Sequence, residues 1–144
     1  MFNNILTVCI GNICRSPSAE RILKAKLPNK NISSAGLGAM VNHEIEHNAA
    51  QILKQHSYND ADHQARQIDN QMIIDADLIL VMEKKHQQSL MNKYPSASGK
   101  IMLLGKWNND EEIPDPYKKS IDAFQQSFIQ IEHNCQLWAD KLAR

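Results

Sequence analysis

The chain has 144 residues, of which 16 are Lys or Arg and 16 are Asp or Glu, so its formal net charge is zero. This balance argues against nucleic acid or an anionic membrane as a bulk partner. No apolar stretch approaches the roughly 20 residues of a membrane-spanning helix, so we expect a protein that is not inserted in a membrane. Three cysteines, a small and odd number, are typical of a reducing compartment and predict a cytoplasmic protein. The length predicts one domain over residues 1–144.

Short apolar runs alternate with amphipathic segments along the chain. The apolar runs predict strands over residues 5–9, 32–35, 78–82 and 100–104. The segments with helical periodicity predict helices over about 17–27, 47–55, 69–75, 84–94 and 120–143. Strands this apolar, alternating with helices, favour an α/β fold with a parallel sheet covered by helices on both faces. Ligands of such sheets bind beyond the carboxyl ends of the strands.

A cysteine and an arginine bracket the loop after the first predicted strand, in the sequence Cys9-Ile10-Gly11-Asn12-Ile13-Cys14-Arg15-Ser16. Ser16 and Pro17 predict a helix start, with Ser16 as the N-cap and Pro17 as the first helical residue. The backbone N–H groups of a strand-to-helix turn, at the positive end of the helix dipole, form a site for anions. We therefore predict a phosphate-binding loop that also stabilises a thiolate.

Within this loop Cys9 is the candidate nucleophile. The alternative is a small buried residue that ends a strand, which is the usual fate of a single cysteine. Arg15 argues against that alternative, because a guanidinium near a buried cysteine needs an anion, and its fork suits two phosphate oxygens. Gly11 lets the backbone approach a ligand, and Asn12 tolerates a left-handed conformation. Ser16 has a hydroxyl that can donate a hydrogen bond to the Cys9 thiolate as well as cap the helix.

Asp115 is the second chemical feature. It lies between Pro114 and Pro116, which hold a rigid loop around one carboxylate. In isolation an ordinary turn aspartate is the better interpretation. Beside a thiolate and a phosphate, however, Asp115 becomes a candidate general acid, because a departing phenolate, whose conjugate acid has a pKa of about 10, benefits from a proton. Tyr117 then either walls the crevice or only packs beside the turn.

Other candidate ligands are weaker. His43 and His47 have the spacing of two metal ligands on a helix, but no second pair completes a site, so no metal and no cofactor is predicted. Cys9 and Cys14 lack a second cysteine pair for a zinc site. Cys135 lies in the apolar stripe of the last predicted helix, which favours an inert thiol in a helix packed on its own sheet.

These motifs resemble those of the low-molecular-weight protein tyrosine phosphatases, and in particular the bacterial, capsule-associated branch. The similarity covers nearly the whole chain and depends chiefly on residues 8–17 and on the sequence Asp115-Pro116-Tyr117. Further matching segments lie at residues 33–36, 63–67 and 78–82. The resemblance implies a four-stranded parallel sheet, with Cys9 as nucleophile, Arg15 as phosphate clamp and Asp115 as acid.

The resemblance also implies supporting and recognition roles. A hydrogen-bond network that shapes the loop is expected from Asn12, Ser16, Ser34 and His63. Leu37 is placed at the substrate rim, where together with Tyr117 it would flank an aromatic ring. Eukaryotic members usually carry two tyrosines after the Asp-Pro pair, whereas here Lys118 follows Tyr117.

The expected substrate is a phosphotyrosine protein. For the capsule-associated branch, the resemblance implies a membrane-bound tyrosine autokinase that controls exopolysaccharide export.

Two other functions compete with this interpretation. Thioredoxin-coupled arsenate reductases share the fold and loop, but they need two further cysteines after the third strand, and residues 78–105 contain none. A phosphotransfer carrier or a non-catalytic phosphate-binding module would use the same loop, but would not need Asp115 as an acid.

Cys14 raises a question about oxidation. An accessible thiolate at Cys9 is readily oxidised to a sulfenic acid, and Cys14, at the far end of the same loop, could capture it as a disulfide. The alternative is that Cys14 only fills space beneath the loop. The sequence leaves both hypotheses open.

Overall fold

A computed structural model describes residues 2–143. Its strands are β1 (Asn4–Cys9), β2 (Asn31–Gly36), β3 (Leu78–Val81) and β4 (Ile101–Leu103). Its helices are α1 (Arg15–Lys26), α2 (His47–Gln55), α3 (Asn70–Asp75), α4 (Lys84–Lys93) and α5 (Ile121–Leu142). A 3-10 helix over Pro95–Lys100, which the sequence patterns did not predict, leads into β4.

The four strands form one parallel sheet in the order β2-β1-β3-β4. Cys9 at the end of β1 is in register with Gly36 at the end of β2, and Val8 is in register with Val81 of β3. The carboxyl ends of the central strands therefore meet at one edge, which is where ligands of such sheets bind. The predicted four-stranded parallel sheet is confirmed.

Alternate side chains of the strands enter two separate cores, as the period of two requires. Ile5, Leu78 and Leu80 pack with the buried faces of α1, α2 and α5. Leu6, Ile79 and Val81 pack with α3 and α4 on the opposite face. Helices therefore cover both faces of the sheet, as predicted, and the long α5 packs against α1 and α2.

The start of α1 differs from the prediction. The helix begins at Arg15, and its N-cap position is Cys14, which makes no side-chain cap. Ser16 was predicted as the N-cap, but it lies inside the first turn, and its hydroxyl is 3.0 Å from Cys9 Sγ instead. The N-cap prediction for Ser16 is wrong because that hydroxyl serves the loop. At α5, by contrast, Ser120 caps the helix by accepting from the N–H of Ala123.

No helix within residues 2–143 combines the length and the apolar character needed to cross a bilayer.

Candidate active site

A crevice of about 160 Å³ opens where β1 gives way to the loop of residues 10–14 and to the first turn of α1. Its lining comes from the loop, from the segment after β2 and from the segment before α5: Cys9, Ile10, Gly11, Ile13, Cys14, Arg15, Gly38, Met40, Asp115 and Tyr117. Eight of the residues predicted from the sequence therefore meet at one place, although Asp115 and Tyr117 lie about a hundred positions from the loop.

Gly36 makes room for this loop. A Cβ atom at Gly36 would collide with the carbonyl oxygen of Ile10 and crowd the side chain of Asn12. The carbonyl of Ile10 accepts a hydrogen bond from the N–H of Gly38 at 3.0 Å, and that of Cys9 accepts from Leu37 at 2.9 Å. The segment after β2 thus supports the loop through its backbone, which only a glycine at position 36 allows.

The Cys9 thiol lies at the base of the crevice and is 3 % exposed. Its sulfur is 3.0 Å from the hydroxyl oxygen of Ser16. Because a thiolate has no hydrogen to donate, the Ser16 hydroxyl is the donor when Cys9 is ionised. The positive end of the α1 helix dipole also stabilises a negative charge on the Cys9 sulfur.

Asn12 is the centre of the network that shapes the loop. Its backbone is left-handed, with φ of 58°. Its amide nitrogen donates to Ser16 Oγ at 2.8 Å and to Ser34 Oγ at 3.0 Å. Its backbone carbonyl accepts from His63 Nε2 at 2.7 Å, which requires the hydrogen on that ring nitrogen. The structure therefore brings Asn12, Ser16, Ser34 and His63 into one hydrogen-bonded group, as the resemblance implies.

Glu20 closes this network and was missed in the sequence. It is buried on α1 and accepts a hydrogen bond from the Ser34 hydroxyl at 2.5 Å. An ionised carboxylate only accepts, so the Ser34 hydrogen points to Glu20 and the Ser34 oxygen is left to accept from Asn12. Asn12 in turn donates to the Ser16 oxygen, which leaves the Ser16 hydrogen for Cys9. The hydrogen bonds thus run outward from the Asn12 amide in two directions, through Ser16 to Cys9 and through Ser34 to Glu20, and each branch ends on an acceptor.

The side chain of Arg15 is fixed by two hydrogen-bond acceptors. Its guanidinium is 2 % exposed, and its Nη1 donates to Glu83 Oε2 at 2.6 Å and to the carbonyl of Ile113 at 2.8 Å. Burial alone would raise the pKa of Glu83, but the hydrogen bond and charge of Arg15 hold it below its ordinary value. Within residues 2–143 neither Nε nor Nη2 of Arg15 makes a hydrogen bond. These two nitrogens remain available as the paired donors that a phosphate requires.

His86 lies behind this ion pair, and its Nε2 is 3.4 Å from Glu83 Oε2. The side chain is 1 % exposed, and neither ring nitrogen has a hydrogen-bond partner within residues 2–143. Burial, followed by the positive charge of Arg15, lowers the pKa of His86 to about 4. His86 is therefore neutral near pH 7, which leaves Glu83 as the charged partner of Arg15.

Asp115 faces the crevice from the opposite side and its side chain is 47 % exposed. One carboxylate oxygen accepts from the N–H of Tyr117 at 3.0 Å, as in an Asx turn. The other lies 3.7 Å from Arg15 Nη2. The loop is tied to the sheet because the N–H of Ile113 donates to the carbonyl of Met82 at 3.0 Å. Asp115 therefore has a fixed backbone and an oxygen directed to the phosphate position.

The family model described as low molecular weight phosphotyrosine protein phosphatase matches residues 4–144 of the sequence. The chain belongs to this family. It is 50% identical to the tyrosine phosphatase AmsI of Erwinia amylovora, whose crystal structure superimposes with a TM-score of 0.97 over 100% of this chain and 95% of that one.

Two other solved structures are also similar to this chain. The Wzb protein of Vibrio vulnificus, in complex with benzylphosphonate, is 41% identical, with a TM-score of 0.95 over 98% of this chain and 99% of that one. The YwlE arginine phosphatase of Geobacillus stearothermophilus is 31% identical, with a TM-score of 0.92 over 97% of this chain and 92% of that one.

The crevice of this low molecular weight protein tyrosine phosphatase has apolar side chains at its entrance. Leu37, which was expected at the substrate rim, does not line it. Leu37 is partly buried and packs against the core on the α3 and α4 side of the sheet. It is not among the residues that line the crevice, and Met40 lies there instead. β2 ends at Gly36, and from the turn that follows it is Gly38 and Met40 that line the crevice.

The phosphatase carries a second thiol in the crevice wall, at Cys14. Burial, with the nearby negative charges of Glu46 and Cys9, raises the pKa of Cys14 well above its usual range. Cys14 is therefore a neutral thiol beside the candidate nucleophile. Cys135 is fully buried on α5, with its sulfur 3.8 Å from the carbonyl of Ala19. No group of three or more His, Cys, Asp or Glu side chains in residues 2–143 is placed to hold a metal ion.

Proposed function

We propose that Cys9 is the nucleophile of this protein tyrosine phosphatase and that Asp115 is its general acid. The Cys9 sulfur attacks phosphorus, and the bond between phosphorus and the tyrosine oxygen breaks as Asp115 transfers its proton to that oxygen. The product of this step is a cysteinyl phosphate. Asp115, now a carboxylate, takes a proton from the water that hydrolyses the intermediate, so that inorganic phosphate leaves and Cys9 is regenerated as a thiolate.

The arrangement of Cys9, Arg15 and Asp115 around one crevice is the observation that carries this proposal. All three residues line this crevice, and one carboxylate oxygen of Asp115 lies 3.7 Å from Arg15 Nη2. A nucleophile and an acid on opposite sides of one phosphorus are what an in-line displacement needs. The loop N–H groups and Arg15 then stabilise the charge of the equatorial oxygens.

Tyrosine is the favoured phosphorylated residue because the crevice walls are apolar. Ile10, Ile13, Met40 and Tyr117 line it, and Asp115 is the only carboxylate that residues 2–143 contribute to its lining. A phenyl ring is stabilised by such walls, whereas the guanidinium of phosphoarginine would find no second carboxylate there. That the Vibrio Wzb was solved with benzylphosphonate, an aromatic phosphonate, supports the same choice.

We infer that the protein acts in the cytoplasm and that its physiological substrate is the phosphotyrosine of a membrane-bound tyrosine autokinase that controls exopolysaccharide or capsule production. This inference depends on the resemblance to the capsule-associated branch. The test is to incubate membranes from the source cells, containing the autophosphorylated kinase, with the wild-type enzyme and with Cys9→Ser. Loss of kinase phosphotyrosine with the wild type alone is expected; persistence of that signal while other phosphotyrosines disappear would contradict the inference.

Two features favour hydrolysis over the competing functions. An arsenate reductase of this fold needs further cysteines to relay a disulfide, and the third cysteine, Cys135, is buried in the core. A carrier or a phosphate-binding module has no use for an acid, yet Asp115 is held at the crevice by a hydrogen bond from the backbone of Tyr117.

The mechanism is tested by turnover of p-nitrophenyl phosphate with excess chelator present. Cys9→Ser is expected to abolish turnover. Asp115→Asn is expected to lower kcat by about 10²- to 10⁴-fold, the usual contribution of a general acid. Asp110→Asn is the matched control, because Asp110 is exposed in the same segment and is absent from the crevice lining. Equal activity of Asp115→Asn and Asp110→Asn would remove Asp115 from the mechanism.

Substrate class is tested with one peptide sequence carrying phosphotyrosine, phosphoserine or phosphoarginine. The phosphotyrosine peptide is expected to have by far the largest kcat/KM, because its ring contacts the apolar walls, whereas phosphoserine is several bonds shorter and phosphoarginine carries a polar guanidinium. Comparable values for phosphoarginine or phosphoserine would contradict this choice while leaving the roles of Cys9 and Asp115 intact.

A further inference from the structure

A second concavity, larger than the catalytic crevice, lies beside β3 and β4 on the face of the sheet that α5 covers. It has a volume of about 520 Å³ and is bordered by the first residues of β3 and β4 and by the end of α5. Its apolar lining consists of Phe2, Leu78, Met102, Trp107, Trp138 and Leu142. We call it the tryptophan groove. Among residues 2–143, none lines both the catalytic crevice and the tryptophan groove.

The groove is cationic in a chain whose net charge is zero. Four lysines line it, namely Lys30, Lys100, Lys106 and Lys141, and no acidic side chain of residues 2–143 is part of its lining. None of these lysines forms a salt bridge with another residue of that described range. Lys30 and Lys100 donate to the backbone carbonyls of Phe2 at 2.9 Å and Ala76 at 2.6 Å, which positions their charges.

Trp107 is the aromatic platform of the groove. Its side chain is 42% exposed, and the amines of Lys106 and Lys141 lie 5.3 and 4.6 Å from its ring centre. The ring meets that of Trp138 edge-on, with centroids 5.5 Å apart and an interplanar angle of 69°. Trp138 is itself buried and donates to the carbonyl of Leu104 at 2.8 Å, so the floor is fixed.

We propose that the tryptophan groove is a second ligand site, which binds a small aromatic anion: a flat apolar body on Trp107 with a carboxylate, sulfonate or phosphate among the lysines. The volume falls within the roughly 300–1,000 Å³ typical of small-molecule sites. The apolar floor excludes a fully hydrated ion, and the unpaired lysines favour an anion over a neutral ring. A concave groove with Trp138 at its floor suits an inserted ring better than the flat surface of a membrane.

The test uses the dye 8-anilinonaphthalene-1-sulfonate as probe, because its emission can be excited by energy transfer from tryptophan. Both tryptophans of the chain line the groove and serve as energy donors, and competition by phosphate and the variants below locate the dye. We expect saturable binding of one dye per chain, unchanged by inorganic phosphate at concentrations that fill the crevice. The uncharged analogue N-phenyl-1-naphthylamine is expected to bind at least about tenfold more weakly, since it cannot pair with the lysines.

Charge variants locate the dye. Lys106→Gln combined with Lys141→Gln is expected to weaken dye binding by about fivefold, as two partly exposed ion pairs would. The matched control combines Lys54→Gln with Lys93→Gln, which removes the same charge from exposed positions outside the groove; Lys93 also lies over an aromatic ring, at 5.7 Å from Tyr94. The control is expected to bind like the wild type.

Trp107→Ala supplies the aromatic test. It is expected to weaken dye binding by about tenfold or more, measured by equilibrium dialysis, while turnover of p-nitrophenyl phosphate stays at the wild-type level and shows that the variant is folded. The proposal is overturned if the uncharged analogue binds as well as the dye, if both lysine pairs have the same effect, if phosphate displaces the dye, or if the protein binds anionic phosphatidylglycerol vesicles but not the free dye.

Discussion

The buried imidazole of His86 gives a quantitative prediction about acid. In the folded protein burial and the charge of Arg15 lower the pKa of His86 from its ordinary 6.5 to about 4. Between these two values the unfolded chain binds a proton that the folded protein does not. The contribution of the neutral His86 to stability is therefore fully present above pH 6.5 and is lost as the pH falls through this range.

The magnitude follows from the same two values. A change of one pKa unit is equivalent to about 1.4 kcal/mol, so acidification from pH 7.5 to 4.5 is expected to remove about 2.5 kcal/mol through His86 alone. This is a substantial part of the roughly 5–15 kcal/mol by which typical domains are stable. Protonation would also place a second cation beside Arg15, which competes for the carboxylate of Glu83, 3.4 Å away.

The assay is urea unfolding followed by tryptophan fluorescence at several pH values between 7.5 and 4.5. His86→Leu replaces a ring whose nitrogens have no hydrogen-bond partner within residues 2–143, so an apolar side chain of similar size is suited to the site. The variant is expected to lose about 2.5 kcal/mol less than the wild type over this pH range. His47→Leu, at an exposed position, is the control. If His86→Leu and the wild type lose stability in parallel, another group titrates and the reasoning about His86 is wrong.

Three further predictions concern the catalytic crevice. Glu83→Gln is expected to lower kcat/KM by about 10- to 100-fold, because the guanidinium of Arg15 loses the charged partner that positions it; an unchanged value would mean that Ile113 alone suffices. The pH–rate profile of the wild type is expected to be bell-shaped, since Cys9 must be ionised while Asp115 keeps its proton, and Asp115→Asn should lose the limb at higher pH. Peroxide is expected to inactivate the enzyme, and a thiol reductant is expected to restore full activity to the wild type but only part of it to Cys14→Ser. The reason is that Cys14 captures the oxidised Cys9 as a disulfide before Cys9 is oxidised irreversibly. Equal recovery of both proteins would assign Cys14 a packing role only.

The sequence predicts the elements around the site because their signals are local. The apolar run of β1 and the following proline fix a strand, a loop and a helix, and Ser120 marks the start of α5 by an ordinary cap. The start of α1 is harder to place, because the hydroxyl of Ser16 is drawn to Cys9 and to Asn12 rather than to the helix backbone. Here a tertiary contact overrides a local preference.

The supporting residues could not be found in the same way. Arg15 and Glu83 are 68 positions apart and Ser34 and Glu20 are 14 apart, and nothing near any of them in the chain indicates the pairing. A glutamate at the start of a helix and another on a helix face are ordinary surface residues in a sequence. Only the sheet order, which places the end of β3 beside the end of β1, brings Glu83 to Arg15.

The burial of Arg15 against two fixed acceptors has a consequence for inhibition by product. An arginine side chain that becomes ordered only on binding loses about 2 kcal/mol of rotamer entropy at that moment. Here the guanidinium is already immobilised by hydrogen bonds to Glu83 and Ile113, so its entropy is lost during folding instead. A preorganised receptor of this kind binds any tetrahedral oxyanion whether or not a ring is attached. Inorganic phosphate, the product, meets the same donors as the substrate and differs from it only by the contacts of the phenyl ring. In a phosphate-rich cell inorganic phosphate therefore competes with the substrate for the loop. The contacts of the apolar rim with the phenyl ring determine how strongly a phosphotyrosine protein is bound in preference to phosphate.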